Sequence, residues 1–239
     1  MTKESPVAAQ ARDAIAALQK KGSKKGRDAM ARYAIPSDKA FGVGMKDIQA
    51  LARQLGKNHA LACALWDSGW YEARLLAAYV DEPAKVTAAQ MDRWCREFDS
   101  WAVVDTLCFV LFDKTPHAWK KVEQWAKRSD EFQKRAAFAL LASLVLHDRK
   151  AGEAPFLKGL ALIEAGAADE RNFVKKGVNW ALRCIGKESP ALNKAAVAVA
   201  RRLSESKEAA PRWVGKDALR ELTSPTTLRR LAAKTAKVK

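Results

Sequence analysis

Apolar residues recur at intervals of three and four along nearly the whole chain, and no stretch alternates in the manner of a strand. That period predicts amphipathic helices throughout. Clusters of helix-breaking residues punctuate it at "KKGSKKG" (20–26), "IPSDKAFGVG" (35–44), "DEPAK" (81–85), "DKTP" (113–116), "DRKAGEAP" (148–155) and "GKESP" (186–190). The segments between them predict about a dozen helices of about 10 to 18 residues joined by short loops. The expected fold class is all-α.

Two segments resemble one another. "FQKRAAFAL" (132–140) aligns with "FVKKGVNWAL" (173–182), setting Phe132 over Phe173 and Arg135 over Lys176 at an offset of 41 residues. An offset near 40 with two helices per unit points to HEAT-type helical repeats, whose stacked pairs curve and leave a concave groove. "YEARLLAAYV" and "SWAVVDTLCFVL" read as further, irregularly spaced copies. One domain is expected over residues 1–239, with a basic C-terminal tail fraying from about residue 232.

Three helices carry positions that do not follow from core packing. In "FDSWAVVDTLCFVLF" (98–112), Val103, Val104, Leu107, Cys108 and Leu111 fill one apolar arc of about 140° at 100° per residue. Trp101 and Asp105 fall together at its rim, about 40° apart. Asp105 there is either a structural carboxylate that caps or pairs, or a group facing a groove. In the helix of 171–187, Val174, Val178, Ala181, Leu182 and Ile185 form the apolar arc. Trp180 points roughly 150° from its centre, beside Lys176 and Arg183. A tryptophan flanked by cations suits nucleic acid, but a second apolar seam of Phe173, Gly177 and Cys184 would also seat it. The helix of 131–146 is apolar nearly all round, so Arg135 within it needs an anion: an internal carboxylate such as Asp105, or a ligand phosphate.

Charge narrows the choice of partner. Forty-three Lys and Arg against 27 Asp and Glu give a net charge of +16, which attracts polyanions, nucleic acid before anionic membrane. The longest apolar run, Ala136 to Leu146, is too short to span a bilayer, and the N-terminal stretch has no secretory apolar region. Four widely spaced cysteines without a CxxC pair, and three histidines, predict reduced core thiols and no metal site. A cytoplasmic protein follows from these features.

Taken in order, "DAMARYAIPSDKAFGVGMKDIQALA", "LWDSGWYEARLLAAYVD", "SWAVVDTLC", "FQKRAAFALL", "FVKKGVNWALRCIGK" and "PRWVGKDALREL" resemble the HEAT-repeat alkylpurine DNA glycosylases of the AlkD type. The resemblance implies a right-handed α-α superhelix with duplex DNA across its concave basic face. It implies release of N3- and N7-alkylated purines, with no cofactor, no metal and no obligate protein partner. By motif, Trp101 and Trp180 match the family's paired active-site tryptophans, Asp105 its catalytic carboxylate and Arg135 its active-site arginine. Tyr33 matches an aromatic lining the cleft, and Lys175, Lys176, Arg183 and Lys216 are the further expected DNA contacts. One departure is Ala102, where relatives often carry a first acid in Trp-Asp-x-x-Asp; it lies on the polar side of the wheel, away from Asp105. A monomer is expected, nucleoid-associated when bound to DNA. The rival readings are a non-catalytic HEAT protein that binds damaged or branched nucleic acid, and a protein–protein scaffold.

Overall fold

The computed structural model describes residues 5–236, and every regular element among them is helical. The described residues fall into two compact units, divided between His117 and Ala118. The first contains α1 (Pro6–Lys21), α2 (Lys24–Met30), α3 (Met45–Leu55), α4 (His59–Asp67), α5 (Tyr71–Val80), α6 (Ala88–Arg96) and α7 (Trp101–Val110). The second contains α8 (Ala118–Trp125), α9 (Glu131–His147), α10 (Ala154–Gly166), α11 (Asn172–Ile185), α12 (Pro190–Ser204), α13 (Ala209–Leu222) and α14 (Pro225–Ala236). Short 3-10 turns sit at Ala31–Tyr33, Pro83–Lys85 and Phe112–Lys114. The all-α expectation is met, with fourteen α-helices among the described residues where the period predicted about a dozen.

Local chemistry sets the helix starts. The side chains of Ser5, Ser23, Asn58, Thr87, Ser100, Asp130 and Ser189 each accept a backbone N–H from the first turn that follows. Capping explains why "KKGSKKG" is a break of only two residues. Ser23 accepts from Gly26 N at 3.0 Å, so the helix resumes at Lys24 despite the nearby glycine. Pro155 is likewise absorbed into the first turn of α10, where its missing N–H has no partner to lose. Residues 232–236, where a frayed tail is expected to begin, are helical, since α14 runs to Ala236; residues 237–239 lie outside the described residues.

The core of the first unit is aromatic. Trp66 of α4 stacks on Trp94 of α6 with centroids 4.3 Å apart, and Phe98 meets Trp66 edge-on at 6.1 Å. The Trp66 indole N–H donates to Glu97 at 2.7 Å, and the Arg74 guanidinium lies 4.8 Å from the Trp66 ring. Glu72 is wholly buried and grips the 35–44 loop, its carboxylate accepting from Phe41 N at 3.0 Å, Gly42 N at 2.7 Å and Val43 N at 3.1 Å. Gly42 has a φ of +79°, which lets three successive N–H groups converge on one carboxylate.

In the second unit α9 is the central helix, buried from Arg135 to Val145. It packs on α8 and α11, and α11 packs in turn on α10, α12 and α13. The two self-similar segments meet: Phe132 and Phe173, equivalent by the 41-residue offset, have ring centroids 5.4 Å apart. Gly215 brings α13 against α12 so closely that a Cβ there would come within 2.6 Å of the Ala200 carbonyl oxygen.

Candidate nucleic-acid interface

On α7 the wheel arrangement is realised. Val103, Val104, Leu107, Cys108 and Leu111 are fully buried, while Trp101 and Asp105 are half-buried at the rim. Ser100 starts the helix, its hydroxyl accepting from Ala102 N at 3.2 Å, which puts Trp101 in the first turn and Asp105 one turn further on. The Trp101 indole N–H donates to the backbone carbonyl of Tyr33 at 2.8 Å. That bond fixes the indole plane and ties α7 to the turn ending α2. Tyr33 itself is 63% exposed, so its ring is not placed there by core burial. Ala34, next in sequence, has a φ of +51° and closes the turn in the left-handed region, a strained choice for a residue with a Cβ. Trp101 and the Tyr33 backbone are thus brought together within the first unit, with Asp105 one turn further along α7.

Arg135, on α9, is almost wholly buried and donates from Nη1 to the Phe173 carbonyl oxygen at 2.8 Å. Glu131, one turn earlier, accepts from Phe173 N at 3.0 Å, so α9 holds the opening turn of α11 through both backbone polar groups of one residue. Just before that turn, Arg171 donates to Asp169 at 2.9 and 2.6 Å and Lys134 donates to it at 3.0 Å. The Arg171 hydrogen bond, helped by Lys134, holds the Asp169 carboxyl well below the usual carboxylate range.

Along α11 the apolar arc is buried as the wheel requires: Val174, Val178, Ala181, Leu182 and Ile185 have no exposed surface. Gly177 and Cys184 are buried too, so the second seam also exists. Trp180 is half-buried and lines a cavity together with Cys184 and Leu146. Lys176 is exposed one turn before it. Arg183 is committed differently, donating to Glu221 at 2.6 Å with Asp217 at 3.9 Å, so a phosphate there competes with two carboxylates. Burial works against ionisation of Glu221, but Lys187 and Arg183 outweigh it and keep its carboxyl below the usual range.

Lys175 leads to a residue the sequence reading passed over. Its ammonium lies 5.2 Å from the Trp213 ring centroid, and Trp213 on α13 is 41% exposed. Lys216, exposed, follows Trp213 by three positions on the same helix. The signal was present in "PRWVGKDALREL": Pro211, Val214, Ala218 and Leu222 form the buried stripe, leaving Trp213 with Lys216 off it.

A family model described as DNA alkylation repair enzyme matches residues 14–222. The chain belongs to that family. Among solved structures, this DNA alkylation repair family member is similar to one of a new family of proteins related to the HEAT-like repeat DNA glycosylases with affinity for branched DNA structures. The two share 17% identity at a TM-score of 0.73, over 86% of this chain and 92% of that one. It is also similar to smu.31 from Streptococcus mutans UA159, at 20% identity and a TM-score of 0.51, over 89% and 95% of the two chains. These likenesses establish the HEAT-like repeat fold. No curated protein matches the chain. Among the described residues, no helix is long and apolar enough to cross a membrane, and no three His, Cys, Asp or Glu side chains group as metal ligands.

Proposed function

We propose that this family member is a glycosylase that hydrolyses the N-glycosidic bond of N3- and N7-alkylated purines in duplex DNA. The observation that carries the reading is the placement of Asp105 one turn after Trp101, whose indole is fixed by the Tyr33 carbonyl. Alkylation at N3 or N7 makes the purine cationic, so the base departs neutral and no general acid is needed, unlike in ordinary glycosidases. Positive charge then develops on the sugar. Asp105 stabilises that oxocarbenium-like charge and orients the attacking water; among apolar neighbours its field is weakly screened.

Trp101 packs against the deoxyribose, and Tyr33 contacts the adjoining backbone. Within the second unit, Trp180 supplies an aromatic contact to DNA, worth about 0.5–2 kcal/mol. Arg135, held by the Phe173 carbonyl, is a second-unit cation for a DNA phosphate. Lys175, Lys176 and Lys216 engage phosphates, and Arg183 does so only in competition with Glu221. The protein acts as a monomer in the cytoplasm and on the nucleoid, and the chemistry calls for no metal or cofactor.

Release of free modified purine from methylated duplex DNA tests this directly, wild type beside Asp105→Asn. Release by the wild type and its loss in the variant, with melting temperature and DNA affinity unchanged, supports the reading. If the wild type binds DNA tightly and releases nothing, a second reading takes over: a protein that binds branched DNA without chemistry. That reading is favoured by the affinity for branched DNA of the structural relative.

A further inference from the structure

The sequence predicts core thiols, and Cys95, Cys108 and Cys184 are buried, but Cys63 on α4 is partly exposed. His59, one turn earlier on the same helix, places Nε2 3.9 Å from the Cys63 Sγ. The other ring nitrogen, Nδ1, lies 2.7 Å from Oδ1 of Asp81, the residue that ends α5. Asp81 is wholly buried. Its Oδ2 accepts from the Gln90 side-chain amide at 2.8 Å and its Oδ1 accepts from Glu82 N at 2.7 Å, so the carboxylate is held on both oxygens. Glu82 in turn accepts from His59 N at 3.1 Å. A carboxylate only accepts, which puts the ring proton on Nδ1 and leaves the Nε2 lone pair facing the thiol.

Thiol, imidazole and buried carboxylate, in that order, form the relay in which a nucleophile passes its proton to a base oriented by a third group. A metal site built from the same three residues does not fit. Nδ1 faces Asp81 and Nε2 faces Cys63 from different edges of one ring, so the three donors do not converge on a single ion. A structural role accounts for the His59–Asp81–Gln90 bonds, which join α4, the end of α5 and α6, but not for a thiol at Nε2. Burial, with the Asp81 and Asp67 carboxylates, pushes the Cys63 thiol up, and Arg93 offsets only part of this. The thiol is therefore protonated at neutral pH, and its reaction needs a base beside it. The His59 side chain is 28% exposed, which restricts access to small reagents.

We propose that Cys63 is a nucleophilic thiol, deprotonated by His59 with Asp81 holding the imidazole, and a site of covalent modification by small alkylating electrophiles. In the step, Sγ attacks an alkyl carbon and forms a C–S bond as the bond from that carbon to its leaving group breaks. The leaving group departs with the electron pair. The thiol proton passes to Nε2, and Asp81 stabilises the imidazolium. These residues lie on α4 and at the end of α5, whereas Asp105 is on α7, so the inference is independent of the proposed glycosylase activity.

The experiment treats the full chain with iodoacetamide, whose leaving group is iodide, and follows the alkylation of each cysteine by peptide mass mapping. Cys63 is expected to react at least as fast as free N-acetylcysteine at neutral pH, and Cys95, Cys108 and Cys184 far more slowly. His59→Gln keeps an amide donor for Asp81 and removes the base. It is expected to slow Cys63 by about tenfold or more at an unchanged melting temperature, as the loss of a general base does. An unchanged or faster Cys63 rate in that folded variant marks the His59–Asp81 bond as structural and overturns the proposal. If the substitution unfolds the chain, all four cysteines react together and the wild-type pH profile decides. The rate of an imidazole-assisted thiol levels off between about pH 7 and 8, above the ordinary range of imidazoles and below that of thiols. A Cys63 rate climbing about tenfold per pH unit through that window belongs to an unassisted thiol and overturns the proposal.

Discussion

The Trp101 indole N–H donates to the Tyr33 carbonyl oxygen across 68 positions of sequence, at 2.8 Å. This bond helps set which way the aromatic one turn before Asp105 faces. It also couples the first turn of α7 to a strained turn whose closing residue, Ala34, sits at a positive φ.

Replacing Trp101 by Phe keeps most of the apolar surface and removes the donor. The loss of one hydrogen bond is expected to cost about 0.5–1.5 kcal/mol of stability. Base release should fall by much more than that stability change explains, because the ring is no longer held in one plane. Denaturant unfolding and base-release kinetics on the same sample check this. A variant with wild-type release refutes the orienting role.

Glu72→Gln removes the charge from the carboxylate whose Oε1 accepts all three converging N–H groups, and sets an amide NH2 where Oε2 accepts from Phe41 N at 3.0 Å. Buried hydrogen bonds to charged groups are the strong ones, so a loss of about 2–3 kcal/mol is expected. Hydrogen exchange at the amides of Phe41, Gly42 and Val43 should accelerate. Unchanged protection there would show that the loop is held by other contacts.

Asp169 makes the fold sensitive to acid. Its carboxyl is held below the usual range in the folded protein, first by Arg171 and then by Lys134, whereas an unfolded Asp titrates near about 3.9. Its contribution to stability is therefore complete above that range and lost as pH falls through the lowered folded value. Glu164, lowered by its hydrogen bond to Arg202, acts in the same direction. Melting temperature followed from pH 6 down to about pH 2 should drop below about pH 4. Asp169→Asn should lower it at neutral pH and flatten the acid limb; a variant curve parallel to wild type refutes the assignment.

Trp213→Ala removes a ring that is 41% exposed and carries Lys175 against its face. Duplex DNA affinity is expected to weaken about 3–10-fold with little change in melting temperature. A fall in melting temperature with DNA affinity intact would mark the pair as a structural contact.

How much of this was legible in the chain differs from helix to helix. The buried stripes of α7 and α11 were, residue by residue, because a helix face is set by a period of 3.6 and by local burial alone. The 41-residue repeat was legible for the same reason, and it reappears as the Phe132–Phe173 contact. Trp213 is legible in principle by the same wheel argument, since it lies off the buried stripe of α13 beside Arg212. The commitment of Arg183 to Glu221 was not legible: the two are 38 positions apart, and nothing local distinguishes this arginine from Lys176.

The sequence by itself determined the helical class, the repeat, the basic charge and the rim positions of Trp101, Asp105 and Trp180, since each is a property of composition or of one helix. The tertiary structure alone decided that Trp101 is held by Tyr33, that Arg135 holds the Phe173 carbonyl, and that Trp180 lines a cavity together with residues of α14. Periodicity fixes which face of a helix is buried. Which cation meets which carboxylate depends on where loops return the chain, as the 35–44 loop gripped by the buried Glu72 and the close approach of α12 and α13 at Gly215 illustrate.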